Sequence, residues 1–67
     1  MELINERVLI FLKNGFKATG TIIEQTEKFV TIYDEISKGK RIISFDVISE
    51  IQYLKDKGGY ENGKQNG

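Results

Sequence analysis

The chain contains no cysteine and no histidine. The first absence excludes a disulfide staple, and the two together exclude the usual ligand sets of a zinc site. There is also no excess of either charge, because ten Lys and Arg stand against ten Asp and Glu. That balance excludes a protein that grips nucleic acid chiefly through a basic surface, but not one that binds through stacking and local positive patches. No apolar run approaches the length of a membrane span, and Met1-Glu2-Leu3-Ile4-Asn5 lacks the basic start and long apolar core of a signal peptide. A soluble, cytoplasmic protein is expected. A Gly-rich phosphate loop is missing, the carboxylates are scattered, and neither His nor Cys is present as base or nucleophile, so no enzyme and no cofactor is expected. Sixty-seven residues make one domain with a modest core. With disulfide and metal both excluded, oligomerisation is the staple that remains.

The stretch that is most informative is Leu12-Lys13-Asn14-Gly15-Phe16-Lys17-Ala18-Thr19-Gly20. Asn-Gly readily supplies two consecutive positive φ angles, which predicts a tight hairpin of Val8 to Lys13 with Phe16 to Glu24. Gly20 lies within the second strand, where a glycine marks a bulge, a sharp bend or the close approach of another backbone.

Along the chain, Leu3-Ile4-Asn5-Glu6-Arg7 suits a short helical turn. Val8-Leu9-Ile10-Phe11-Leu12 is apolar on both faces, Val8, Ile10 and Leu12 on one and Leu9 and Phe11 on the other, so the second face is expected to meet something. Phe16 to Glu24 alternates more cleanly, and Gln25-Thr26-Glu27-Lys28 is a polar connection. Phe29-Val30-Thr31-Ile32-Tyr33 is a third strand by its β-branched and aromatic content. Asp34 to Lys40 is turn chemistry, Arg41 to Ser44 a fourth strand, Phe45-Asp46 a tight connection, and Val47 to Leu54 a fifth strand. Residues 1–54 form the domain, and 55–67 form a Gly-rich tail expected to be disordered. The fold class is all-β: a short N-terminal helical turn followed by a five-stranded, strongly bent antiparallel SH3-like barrel. A barrel this small leaves strand edges, and head-to-tail pairing of edges closes a ring when the rotation allows.

These residues resemble the Sm-like superfamily and its bacterial branch Hfq, over roughly Asn5 to Ile51. Val8-x-Ile10-x-Leu12-x-Asn14-Gly15-Phe16-Lys17-x-x-Gly20-x-Ile22 is similar to the first Sm motif. Thr26-Glu27-Lys28-Phe29-Val30 resembles the start of its third strand. Ile43-Ser44-Phe45-Asp46-Val47-Ile48, followed by Ser49-x-Ile51, resembles the apolar frame of the second motif. The resemblance implies a homo-oligomeric ring of about five to seven copies, six favoured, with the fourth strand of one subunit pairing the fifth of the next. Its implied partner is single-stranded RNA, and its implied role that of an RNA chaperone or post-transcriptional regulator.

Site residues follow position by position from that resemblance. The proximal pocket comprises Lys28, Phe29, Ser44, Phe45 and Asp46, with Phe29 as the ring on which a base stacks. The distal face comprises Phe11, Gly15, Phe16, Lys17 and Thr19, with Phe11 as the stacking ring. Ser44-Phe45-Asp46 departs from the Lys-His of Hfq and the Arg-Gly of Sm proteins, and Val30 stands where Sm proteins carry Asn. A base preference different from that of standard Hfq is therefore expected.

Each residue also has a plainer role open to it. Phe29 can be a core aromatic at a strand start, Phe45 a barrel plug or intersubunit contact, and Phe11 with Leu9 an interface filler. Lys17 can be merely solvated, and Asp46 can cap its turn. Two further functions stand beside RNA binding: a monomeric SH3-like protein-interaction module using Leu9, Phe11 and Ile23 as a groove, and an Sm-type ring that binds DNA or serves assembly.

Overall fold

The computed structural model describes residues 2–54. Five strands follow in order, β1 (Arg7–Leu12), β2 (Lys17–Gln25), β3 (Phe29–Asp34), β4 (Gly39–Ser44) and β5 (Ile48–Tyr53), with a single 3-10 turn at Phe45–Val47 before β5. All pairings are antiparallel, and the spatial order is β4-β3-β2-β1-β5. The fold is therefore all-β with one five-stranded sheet, as expected. No ladder joins β4 to β5 among the described residues, so these two strands are the edges of an open sheet rather than the seam of a closed barrel. The Gly-rich tail from Lys55 onward lies outside the described residues. Among those residues no helix is long and apolar enough to cross a membrane.

Alternation decides which side chains the sheet buries. Val8 and Ile10 of β1, Ala18 and Ile22 of β2, Val30 and Ile32 of β3, and Ile43 of β4 share one face and form the core with Leu3. Val8, Ile10, Ile22, Val30 and Ile32 are wholly excluded from solvent, and each contributes about 1.5–3 kcal/mol by burial. Leu12, Phe45, Ile48 and Ile51 pack against this cluster from its margin. Leu9 and Phe11 point to the other face of β1, as the two-sided apolar pattern predicted, and are half-buried there.

Two local expectations are corrected. Leu3–Arg7 does not form a helical turn: Asn5 adopts a left-handed φ of 73°, and the Glu6 N–H closes a four-residue turn onto the Leu3 carbonyl at 3.1 Å. A left-handed residue cannot continue a right-handed helix. The segment is instead tied to β2, through Asn5 N–H to the Ile22 carbonyl (2.7 Å) and Leu3 N–H to Gln25 Oε1 (2.8 Å).

The β1–β2 hairpin is also not the two-residue type with both Asn14 and Gly15 left-handed. Only Gly15 has a positive φ, 94°. Its N–H reaches the Leu12 carbonyl (3.0 Å), and the Leu12 N–H reaches the Phe16 carbonyl (2.8 Å). That is the longer hairpin in which a turn is followed by a left-handed glycine bulge. Asn14 serves it with its side chain, Oδ1 accepting from the Phe16 N–H at 3.0 Å, which removes any need for Asn14 to adopt the left-handed conformation.

Two register shifts interrupt the ladders. Ile22 faces Ile32 while Glu24 faces Thr31, so Ile23 is an extra residue in β2; Phe11 faces Glu50 while Leu12 faces Ile48, so Ser49 is an extra residue in β5. Such bulges bend a strand and sharpen its twist. Gly20, opposite Asp34, is where β3 comes too close for any side chain.

The β3–β4 turn is fastened by carboxylates. Asp34 Oδ1 accepts from the Ile36 and Ser37 N–H groups (2.7 and 3.1 Å), and Oδ2 accepts from Arg41 at 2.9 Å. Glu35 takes a two-point bond from Arg7 of β1, 2.6 and 3.0 Å. The Arg41 guanidinium, then the Ser37 and Ile36 amides, hold the Asp34 carboxyl below the usual carboxylate range. Arg7 does the same for Glu35.

Candidate nucleic-acid interface

On the outer face of the hairpin, Phe11 of β1 and Lys17 of β2 stand directly opposite each other. The Lys17 ammonium lies 5.7 Å from the centroid of the Phe11 ring, within the range of a cation–π contact. One step along the ladder, Leu9 faces Thr19. Alternation puts these four side chains away from the core because their neighbours Val8, Ile10 and Ala18 are in it. The turn adds Gly15 and Phe16 beside them, and Phe16 is 70% exposed. Phe11, Lys17 and Thr19 thus form one patch on two strands, with Gly15 and Phe16 at its end.

The other neighbour of β1 supplies residues that reading along the sequence did not assign. Phe11 also faces Glu50 of β5, and Leu9 faces Gln52. Gln52 Nε2 donates to Glu50 Oε2 at 3.0 Å. A ring with a cation on one side and a carboxylate–amide pair on the other offers stacking, a phosphate contact and hydrogen-bonding groups for a base edge. The signal that could have found Glu50 and Gln52 is their alternation with Ile51, which faces Ile10 in the core; the pairing itself spans some forty residues and leaves no local trace.

The residues expected to form a proximal pocket also converge. Phe29 faces Ser44 across β3 and β4, and the Phe45 N–H donates to the Lys28 carbonyl at 2.9 Å. Thr26 Oγ1 accepts from the Lys28 and Phe29 amides, both at 3.1 Å, and so shapes the loop that presents them. Phe29 is half-buried but is not among the side chains that pack on the core, so the plain role of a core aromatic does not describe it. Phe45 does pack on the core, as the barrel-plug role requires. Asp46 does not cap its turn: Ser44 Oγ accepts from the Asp46 N–H at 3.1 Å, and the Asp46 side chain is left exposed.

A cavity of about 380 Å³ opens between Phe45 and the free side of β5, lined chiefly by Leu3, Ile48, Ile51 and Tyr53 with Gln25 and Glu50. It borders the edge strand and shares Glu50 with the surroundings of Phe11. Among the described residues no group of three or more His, Cys, Asp and Glu side chains could hold a metal ion. No protein-family model matches the chain, and no curated protein matches it.

Proposed function

We propose that this protein assembles head to tail into a closed Sm-like, Hfq-related ring and binds single-stranded RNA, with the role of an RNA chaperone or post-transcriptional regulator in the cytoplasm. The observation that carries the RNA reading is the Phe11–Lys17 pair, a stacking ring with a cation 5.7 Å from its centroid on a solvent-facing sheet surface. Stacking is tolerant of sequence and needs no net positive charge, which suits a neutral chain. Repetition around a ring multiplies such modest sites into useful avidity.

The ring reading is supported by the two edges. β4 carries Lys40 and Arg41 and no acid, β5 carries Glu50 and no base, and the apolar cavity lies beside β5. Ile42 on β4 is 70% exposed, an apolar side chain on an unpaired edge of the kind that proteins normally cover. Edges that differ in this way favour a heterologous contact, and such contacts terminate only by closing. We further infer an SH3-like, barrel-like curvature. The core face is dry although no second layer covers it among the described residues, and a flat single sheet would leave that face wet. The bulges at Ile23 and Ser49 and the glycine at position 20 supply the bends.

The test is the native mass in solution, by light scattering at several protein concentrations, followed by titration with labelled A-rich and U-rich RNA. A concentration-independent mass of about five to seven chains with RNA affinity is expected. A monomer would remove the composite pore sites. The second reading, a monomeric SH3-like module with Leu9, Phe11 and Ile23 as its groove, would then stand, and the apolar cavity beside β5 would offer another place for a protein segment. A ring that binds DNA in preference to RNA would identify the third.

A further inference from the structure

The arrangement of Phe11 and Lys17, an aromatic opposite a lysine on neighbouring strands of the outer face, occurs a second time. Tyr33 of β3 stands directly opposite Lys40 of β4. On its other side Tyr33 faces Thr21 of β2, which in turn faces Arg7 of β1. One row across four strands therefore reads Arg7, Thr21, Tyr33, Lys40. Arg7, Thr21 and Tyr33 each adjoin a core position, and Lys40 stands three residues from the core residue Ile43 of its own strand, so the row lies on the same face as Phe11 and Lys17. We infer that Tyr33 and Lys40 form a second stacking platform for single-stranded RNA, with the Tyr33 ring under a base and the Lys40 ammonium on a phosphate. The inference rests on the RNA reading above and extends it to a part of the sheet to which neither the motif resemblance nor the Phe11 patch assigns any function.

Three features favour this role over an idle surface tyrosine. Tyr33 is 45% exposed, and its neighbours along the row are a small hydroxyl residue and a long flexible cation, neither of which covers a ring as another apolar side chain would. The carboxylates closest in sequence are already engaged, Asp34 by Arg41 and Glu35 by Arg7, so they do not oppose a phosphate arriving at Lys40. Finally, the turn that follows Tyr33 is pinned by the Asp34 hydrogen bonds and by the Glu35 N–H on the Thr19 carbonyl (2.9 Å). The platform is thus held in place before any ligand arrives. Four residues along β2 separate Lys17 from Thr21, and one further strand separates Thr21 from Tyr33. Strand geometry puts the two platforms on the order of 14 Å apart. A single strand of several nucleotides lying obliquely across the face would use both.

The test compares labelled twelve-nucleotide oligo(A) and oligo(U) on wild type, Tyr33→Ala, Tyr33→Phe, Lys40→Gln and Phe11→Ala, each checked for native mass and thermal melting. Tyr33→Ala is expected to weaken binding on the order of tenfold while Tyr33→Phe retains it, because stacking needs the ring and not the hydroxyl. Lys40→Gln is expected to reduce the dependence of log K on log salt by about 0.7, the loss of one phosphate contact. A photoactivatable uridine oligomer should crosslink wild type at Tyr33, a readout that needs no variant to fold. Wild-type affinity in Tyr33→Ala alongside weakened binding in Phe11→Ala would overturn this platform and leave the first one standing. Absence of a Tyr33 crosslink in a bound complex would also overturn it. A wild-type protein that binds neither oligomer would remove both readings together.

Discussion

Gly20 and Tyr33 meet backbone to backbone. A Cβ built on Gly20 would overlap the Tyr33 carbonyl oxygen, and would lie 2.9 Å from its carbonyl carbon and 3.2 Å from the Asp34 Cα. Gly20 does not have a left-handed φ, so the requirement for glycine here is space and not conformation. β3 cannot withdraw without stretching the β2–β3 ladder, in which Ile22 and Ile32 are paired and both wholly buried. Gly20→Ala is therefore expected to cost at least about 1–3 kcal/mol, the range for forced overpacking. Urea denaturation followed by circular dichroism reads this directly. A midpoint equal to the wild type's would show that the strands can separate freely at this point.

Thr31 tests the same region in the opposite direction. It is 5% exposed, and its hydroxyl is buried without a hydrogen-bond partner among the described residues. A buried, unsatisfied polar group costs about 1–3 kcal/mol. Thr31→Val keeps the β-branched shape and deletes the unsatisfied oxygen, so it should raise the melting temperature. A lower melting temperature would mean that the hydroxyl has a partner in solution.

Much of this fold was legible in the residues because alternation and turn chemistry are local signals. Val8, Ile10 and Leu12 against Leu9 and Phe11 gave the two faces of β1, and the β-branched run from Phe29 gave β3. The turns were placed correctly but their conformations were not, since Asn14 and Asn5 settle their backbones through hydrogen bonds that residue type alone does not specify. β4 begins at Gly39, before the expected Arg41, because pairing with Asp34 extends it into what looked like turn sequence. On the candidate site, Phe11 and Lys17 were each named from the motif resemblance, but their pairing was not legible, because a two-residue Asn-Gly turn would set Ala18 opposite Phe11 and the glycine bulge at Gly15 shifts the register by one. Nor was the approach of Glu50 and Gln52, because β1–β5 pairing joins distant segments across a bulge.

Acid should loosen the β3–β4 turn. Arg41, then the Ser37 and Ile36 amides, depress the Asp34 carboxyl from its ordinary 3.8, and Arg7 depresses Glu35 from 4.5. A carboxyl whose folded pKa lies below its unfolded value stabilises the fold fully above the unfolded value and loses that contribution as pH falls through the folded one. Stability should therefore hold from neutral pH to about pH 5 and decline below that. Asp34→Asn removes the charge that Arg41 binds, so it should lower stability at neutral pH and flatten the decline in acid. Urea midpoints at several pH values measure both. Parallel acid limbs in the two proteins would show that Asp34 carries none of the effect.

The two proposed RNA surfaces separate by base composition. Phe11→Ala removes a ring and Lys17→Ala removes the cation 5.7 Å from it, so both should weaken A-rich RNA, the first by about 1–3 kcal/mol per stacked base. Phe29→Ala, at the margin of β3 beside Lys28 and Ser44, should weaken U-rich RNA and leave A-rich binding near the wild-type value. Stability provides the control. An exposed cation–π contact contributes only about 0.5–1 kcal/mol, so Lys17→Ala should melt close to the wild type, and any large loss of affinity must then come from the ligand. Fluorescence anisotropy at two salt concentrations distinguishes the two contributions, since loss of Lys17 should lower the salt dependence whereas loss of Phe11 should not. Unchanged affinity in all three variants would remove the site assignment and leave the sheet, its core and its two free edges as they are.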